Sequence, residues 1–315
     1  MYNFESFKLF YVLKFSIKNE FNTLNKVILG IANDLGGIPL IQDVYDPQTR
    51  KHVLQNTFPE EDQLISELNA FKKILEKYDV DVLRPKNLKS INQVFTRDIG
   101  FVIDDVFFVS NIIKDREREI EGINHILSYF DKSKVVFLPN DIRVEGGDVI
   151  IYNDYIFIGI CSDYDFATKK VGRTNKKSVD FFKKFFPNKK VYGFELKKSD
   201  TSIEDNCLHL DCCFQTLGLG HLLICYDSFN KRKDIDLVNK LFSKKNIIEI
   251  SNEQMVHLNT NLFSISKNIV VSNKNFKILN NILLKLGYIV EEVEYSSIAK
   301  MGGLFRCSTL PLKRI

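Results

Sequence analysis

Along the chain, short apolar runs come in pairs, and each pair is followed by a longer stretch whose apolar residues recur at helical spacing. Runs 98–103 and 106–110 meet at Asp104-Asp105, which marks a tight hairpin. Over 116–130 the apolar residues Ile120, Ile123, Ile126, Leu127 and Phe130 share one helical face, and 134–138 reads as a third strand. The same strand, strand, helix, strand order returns as 148–152, 155–160, 176–186 and 190–196, with Asn153-Asp154 at the hairpin. It returns again as 208–217, 222–226, 235–242 and 246–250, and then as 261–266, 269–272, 275–286 and 288–293. A fifth copy is split: 304–310 lies near the C-terminus, while 26–31, the helix 60–78 and the strand 80–83 lie near the N-terminus. Internal repetition of this kind predicts a closed α/β propeller of five blades, in which sewing the two ends into one blade removes sheet edges. Residues 1–315 are thus expected to form a single domain, with 1–23 an extension of unassigned role. A doubly wound two-domain enzyme would need single parallel strands alternating with helices, and the hairpins argue against it.

Composition narrows the partners. With 44 Lys+Arg against 40 Asp+Glu the net charge is +4, too balanced for nucleic acid to be expected. The apolar run 4–15 is interrupted by Lys8 and Lys14 and has no small-residue cleavage site, so it fails as a spanning helix and as a signal peptide. No membrane partner is expected, the expected location is the cytoplasm, and homo-oligomerisation is left open. The six cysteines, at 161, 207, 212, 213, 225 and 307, then read as reduced thiols. No Gly-rich nucleotide loop occurs and no cofactor is expected. Cys207, Cys212 and Cys213 lack zinc-ligand spacing, adjacent Cys212 and Cys213 would face opposite ways on a strand, and His221 and His257 add no ligand pair, so no metal is expected.

Polar residues that would be out of place in buried strands stand near the start of successive units. They are Asp98 in Phe-Thr-Arg-Asp, Glu145 and Asp148 in Glu-Gly-Gly-Asp, His209 and Asp211 in Leu-His-Leu-Asp, and Cys307 in Arg-Cys-Ser-Thr-Leu-Pro-Leu. Each has an ordinary explanation on its own. Asp98 beside Arg97 suits a salt-bridged strand start, Gly146-Gly147 suits a tight entry into the next strand, His209 suits a core histidine, and Cys307 suits a packed thiol. Together, a thiol, an imidazole and several carboxylates at similar positions of a radial repeat would be delivered to one central place. His209 and Asp211, two apart on an expected strand, would share a face.

These motifs, in this order, resemble the guanidino-modifying enzymes of the pentein superfamily, which comprise arginine deiminases, dimethylarginine dimethylaminohydrolases and amidinotransferases. The resemblance runs from about residue 25 to the C-terminus and rests on 95–98, 145–148, Arg173-Thr174, 209–211 and Gly-Gly-Leu-Phe-Arg-Cys at 302–307. It implies the five-bladed fold inferred from the repeats. It also implies that Cys307 is the nucleophile, His209 the general acid and base, and Glu145 its orienting carboxylate. Asp98 and Asp211 would accept hydrogen bonds from the substrate guanidinium, while Arg116 and Arg173 would hold the amino-acid carboxylate and Asn92 would touch the substrate. A planar cation with several N–H donors is well held by carboxylates in its plane. Asp211 after His209 and the Cys307 segment lean toward an arginine deiminase acting through a covalent Cys-amidino intermediate with water as acceptor. The short 80–98 spacing, which leaves no room for the deiminases' helical insertion, and the long segment 160–173 keep amidino transfer to an amine such as glycine or ornithine as the alternative. A non-catalytic binding propeller is the third.

Overall fold

A computed structural model describes residues 13–44 and 46–315. Strands β1 (Leu24–Leu29) and β2 (Asp81–Leu83) pair in parallel across the helix Glu61–Lys77. The second sheet holds β3 (Gly100–Ile103), β4 (Val106–Val109) and β5 (Val135–Phe137), and the third holds β6 (Val149–Tyr152), β7 (Tyr155–Ile160) and β8 (Lys190–Glu195). Next come β9 (Phe214–Thr216), β10 (Leu222–Ile224) and β11 (Ile247–Glu249), then β12 (Phe263–Ser264), β13 (Ile269–Asn273) and β14 (Ile289–Val293). Finally β15 (Thr309–Arg314) returns to pair antiparallel with β1, so the first sheet is built from both ends of the chain. Every sheet has the same order: an antiparallel pair, joined as a hairpin in all but the first sheet, then a third strand parallel to the middle one.

The hairpin signals hold. Asp104 and Asn153 take up the left-handed backbone conformation at φ of 52° and 54°, which short polar side chains tolerate. Helix Glu61–Lys77 is closed by a Glu60/Gln63 capping box and buries Leu64, Leu68, Phe71 and Leu75 along one stripe. Phe71 meets Phe263, Tyr295 and Phe305 edge-on at 5.1–5.8 Å between centroids, which braces the turn that carries Cys307.

Three expectations are corrected. The stretch expected as one helix over 116–130 is a 3-10 helix, Lys114–Ile123, followed by a single α turn, Asn124–Leu127. At three residues per turn, Arg116 and Glu119 eclipse one another, and they form a two-pronged ion pair (2.7 and 2.8 Å). The strand expected over 208–217 begins only at Phe214, after the 3-10 turn Leu210–Cys212, so His209 and Asp211 do not share a strand face, nor do Cys212 and Cys213 alternate on one. The strand expected over 304–310 begins at Thr309, leaving Cys307 on the preceding turn.

The segment set apart as an extension is woven into the sheets from residue 13 onward. Ser16 bonds to Leu312 and Arg314 of β15, Ile17 to Asp104 of the first hairpin turn, and Lys18 to Asn153 of the second, while Phe15 and Ile17 are buried. Residues 1–12, including most of the apolar run 4–15, lie outside the described residues. No helix among the described residues is long and apolar enough to cross a membrane.

Candidate active site

In unit after unit, a candidate site residue stands just before the first strand of the antiparallel pair and not on it. Asp98 precedes β3, Glu145 is the N-cap of the 3-10 turn Gly146–Asp148 that leads into β6, His209 is the N-cap of the turn before β9, and Cys307 lies on the turn before β15. On a strand, a side chain is committed to its neighbours in the sheet; on these turns it is free to point along the strand axis. Gly147 has a close-packing reason beyond the tight entry expected of the Gly-Gly pair: a Cβ there would come within 2.7 Å of His209 Nδ1. Gly303 plays a similar part at Cys307, where a Cβ would come within 2.5 Å of the Phe95 ring and 2.9 Å of Cys307 Cβ.

The imidazole side is a cage of charge. His209 Nε2 lies 2.8 Å from Glu145 Oε2 and its Nδ1 lies 3.7 Å from Asp98 Oδ1, with all three residues buried. Lys198 fixes the approach to His209 by donating to the carbonyls of Cys207 and Leu208. Behind the carboxylates, Arg173 Nη1 donates to both oxygens of Glu145 at 3.2 Å, and Arg116 Nη1 donates to Asp98 Oδ2 at 2.8 Å. Burial alone would drive the imidazole toward its neutral form, but Asp98, Asp148 and Glu145 outweigh it and raise the His209 pKa to about 9. Burial likewise works against the Glu145 anion, yet Arg173, the His209 hydrogen bond and Arg116 hold its pKa below the carboxylate range. Arg116, although buried, is kept firmly charged by Glu119, Asp98 and Glu145.

Cys307 has a different setting. Its Sγ accepts a hydrogen bond from Asn261 Nδ2 at 3.1 Å and lies 3.8 and 3.9 Å from the two oxygens of Asp211. Asn261 Oδ1 accepts the backbone N–H of both Arg306 and Cys307, and the Cys307 carbonyl accepts from the Arg97 N–H, so the thiol is tied to the Asp98 segment. Burial, then Asp211 and then Asp98 push the Cys307 thiol well above its usual pKa, which makes it neutral in this charge state of the site. Asp98 Oδ1 is buried yet accepts no hydrogen bond among the described residues.

The structure therefore brings Asp98, Glu145 and His209 together, sets Cys307 against Asp211, and joins the two groups through Asp98. Arg116, Arg173 and Asn92 line an adjoining cavity of about 230 Å³, together with Phe95, Met301 and the loop residues Leu35, Pro39, Val44 and Asp46. Asp148 is buried beside the site but is spent on structure, accepting from Leu210 N–H at 2.9 Å and the Thr174 hydroxyl at 2.6 Å. Asp98, Glu145 and His209 offer ligand atoms within 4.8 Å of one another. Two arginines already neutralise those carboxylates, which suits an ion-pair network better than a divalent cation. Asn261 and Glu119 do not stand out in the sequence reading. Asn261 was within reach, since it stands just before β12, the position that in the other units supplies Asp98, Glu145, His209 and Cys307.

Residues 43–314 match the family described as N,N dimethylarginine dimethylhydrolase, eukaryotic. The uncharacterized protein YkgA of Bacillus subtilis (strain 168) is 29% identical over 303 residues, covering 94% of each chain. The bifunctional arginine dihydrolase/ornithine cyclodeaminase AgrE of Nostoc sp. (strain PCC 7120) is 26% identical over 259 residues, 79% of this chain but only 33% of that one, so the match spans about a third of AgrE. Among solved structures, the N-terminal domain of ArgZ, an arginine dihydrolase from cyanobacteria, is similar with a TM-score of 0.76 at 18% identity, over 92% of this chain and 98% of that one. SxtG, an amidinotransferase from Microseira wollei, is similar with a TM-score of 0.72 at 18% identity, over 95% and 97% of the two chains. These two structural likenesses are of fold.

Proposed function

The chain belongs to the N,N dimethylarginine dimethylhydrolase family, within the pentein superfamily of guanidino-modifying enzymes, and from that premise we propose that it hydrolyses the guanidino group of arginine, as an arginine deiminase does, through a covalent intermediate on Cys307. The observation that carries this reading is the meeting, around Asp98, of a buried thiol, a protonated imidazole and carboxylates, beside a cavity walled by two arginines. The five sheets of one topology support reading the whole chain as a single five-bladed propeller with this site at its centre.

In the proposed reaction the guanidinium donates N–H bonds to Asp98 Oδ1 and to Asp211, and Arg116 and Arg173 take the amino-acid carboxylate, with Asn92 beside them. Arrival of the cation offsets the two carboxylates that oppose ionisation of Cys307, so the thiol releases its proton to solvent as substrate binds. The thiolate attacks the central guanidinium carbon and forms a C–S bond. Cleavage of one C–N bond follows as His209, held as imidazolium by Glu145 and Asp98, protonates the leaving nitrogen. The neutral imidazole then takes a proton from water, whose oxygen attacks the amidino carbon. The C–S bond breaks as the adduct's hydroxyl proton passes to the departing sulfur, releasing a neutral ureido product and regenerating the thiol.

Three incubations test this: arginine alone, N,N-dimethylarginine alone, and arginine with glycine or ornithine. Ammonia and citrulline in the first are expected. Dimethylamine in the second with nothing in the first would move the substrate to the methylated amino acid. A new guanidino compound, formed only in the third, would make the protein an amidinotransferase, and no product in any arm would leave a binding propeller.

A further inference from the structure

Behind Cys307 lies a second buried ion-pair chain, of which the proposed reaction uses only Asp211. Arg306, fully buried, donates through Nη1 to Asp211 Oδ2 at 2.8 Å, through Nη2 to the Val149 carbonyl at 2.7 Å and to Glu20 Oε1 at 3.1 Å, and through Nε to Glu20 Oε2 at 3.2 Å. Glu20 comes from the segment that reads in sequence as an appendage. It is 5% exposed, and its Oε1 also accepts the Ile151 N–H at 3.3 Å, which locks the segment against β6. Chain connectivity gives no reason for a glutamate 286 residues away to stand behind Arg306. Its effect on the site is physical. With Glu20 in place, Arg306 is shared between two carboxylates and Asp211 keeps much of its negative potential; without it, Asp211 would be the guanidinium's sole anionic partner.

We infer that Glu20 is a positioning residue of the reaction: by sharing Arg306 it fixes the Asp211 carboxylate beside Cys307 and preserves the negative charge that Asp211 offers to a cationic substrate. The inference rests on the reading of Cys307 as nucleophile and Asp211 as substrate clamp. The charges that face this chain are few. Arg97 and Arg314 lie near both Glu20 and Arg306, Arg97 also lies near Asp211, and both are buried. Cys307 is faced by Asp211, Asp98, Asn261, Cys212 and Tyr295. Burial opposes the Glu20 anion, but Arg306 and Arg97 overcome it and lower its pKa to about 2, so Glu20 is ionised across the working range.

Glu20→Gln removes one negative charge while keeping size. Two opposite changes are expected: substrate KM rises by about 10-fold with a smaller change in kcat, and the pH midpoint for iodoacetamide alkylation of Cys307 falls by on the order of one unit, because less negative potential opposes the thiolate. Alkylation is read site by site by peptide mass spectrometry, so that general loosening, which would also expose Cys207 and Cys212, is distinguished from a change at Cys307. Glu20→Asp, which keeps the charge on a shorter arm that reaches Arg306 less fully, should lower the midpoint by a smaller but measurable part of the Gln shift. Ile17→Ala, a packing change in the same segment, should lower the melting temperature and leave the midpoint in place. An unchanged midpoint and KM in Glu20→Gln would overturn the inference. If that variant does not fold, a Glu20→Asp midpoint equal to wild type or matched by Ile17→Ala would overturn it instead. Alkylation needs no turnover, so a shifted midpoint in a protein inactive on every guanidino compound would sink the functional reading and leave the coupling standing.

Discussion

Two halves of the site meet around Asp98. His209 lies among Asp98, Asp148 and Glu145, with Arg116 and Arg173 paired behind the carboxylates, whereas Cys307 lies against Asp211 and Asn261, with Arg306 bonded to Asp211 Oδ2. Both halves are buried and both are rich in carboxylate, yet the same carboxylates act oppositely on them. Next to an imidazole a carboxylate favours the cation; next to a thiol it opposes the anion. In the proposed reaction, the first half therefore stores the proton for the leaving nitrogen, and the second holds back the Cys307 thiolate until a cation arrives. Before any substrate binds, this contrast keeps a reactive thiolate from forming at neutral pH, which guards Cys307 against indiscriminate alkylation and oxidation.

The sharpest way to break the comparison is to remove the nucleophile. Cys307→Ser should abolish turnover, by roughly 10³-fold or more, and leave the melting temperature close to wild type, because a hydroxyl of similar size is a far poorer nucleophile. Wild type with a slow substrate should show a mass adduct on Cys307. Labelling at Cys161 or Cys225 in its place, with an active Ser variant, would dissolve the nucleophile half altogether.

His209→Ala tests the other half, with an expected loss in kcat on the order of 10²- to 10⁴-fold and a smaller effect on binding, since its proton is needed in the bond-breaking steps. Asp211→Asn should do the reverse. It keeps the shape, removes a charge and turns an acceptor into a donor, at a cost of about 2–4 kcal/mol in kcat/KM, felt chiefly in KM. Wild-type kinetics in Asp211→Asn would leave this carboxylate as a partner for Arg306 and nothing more.

The two halves were not equally legible in the sequence. The repeat showed because hairpins alternate and turn in a pattern that survives without knowledge of neighbours, and the polar residues of Phe-Thr-Arg-Asp, Glu-Gly-Gly-Asp and Leu-His-Leu-Asp stood out against apolar strands. The same-face argument for His209 and Asp211 failed because a 3-10 turn, not a strand, connects them; the turn sends one residue to Glu145 and the other to Cys307. Glu20, Glu119 and Asn261 act through partners fixed by topology. A glutamate among the first residues carries no mark in sequence that it will meet Arg306, and Arg116 and Glu119 form their two-pronged pair on a winding that helical periodicity did not suggest.

The smallest expected effect concerns stability and reads the imidazole half by itself. The His209 pKa is raised from 6.5 to about 9 in the folded protein, so the native state holds a proton that the unfolded chain gives up sooner. The stabilisation from this cation is fully present below about pH 6.5 and is lost as pH rises through about 9, amounting to roughly 3 kcal/mol at most. Buried cysteines with raised pKa values also lose stability upward in pH, from about 8 where an unfolded thiol begins to ionise, so the histidine's share is read from the difference between wild type and a variant without it. Urea unfolding of wild type and of His209→Gln, compared at steps of pH, cancels the remaining titrations. Wild type should lose its advantage as pH rises from about 6.5 through about 9. Parallel curves would mean that His209 is neutral in the folded protein, and the proton for the leaving nitrogen would then have to come from another group.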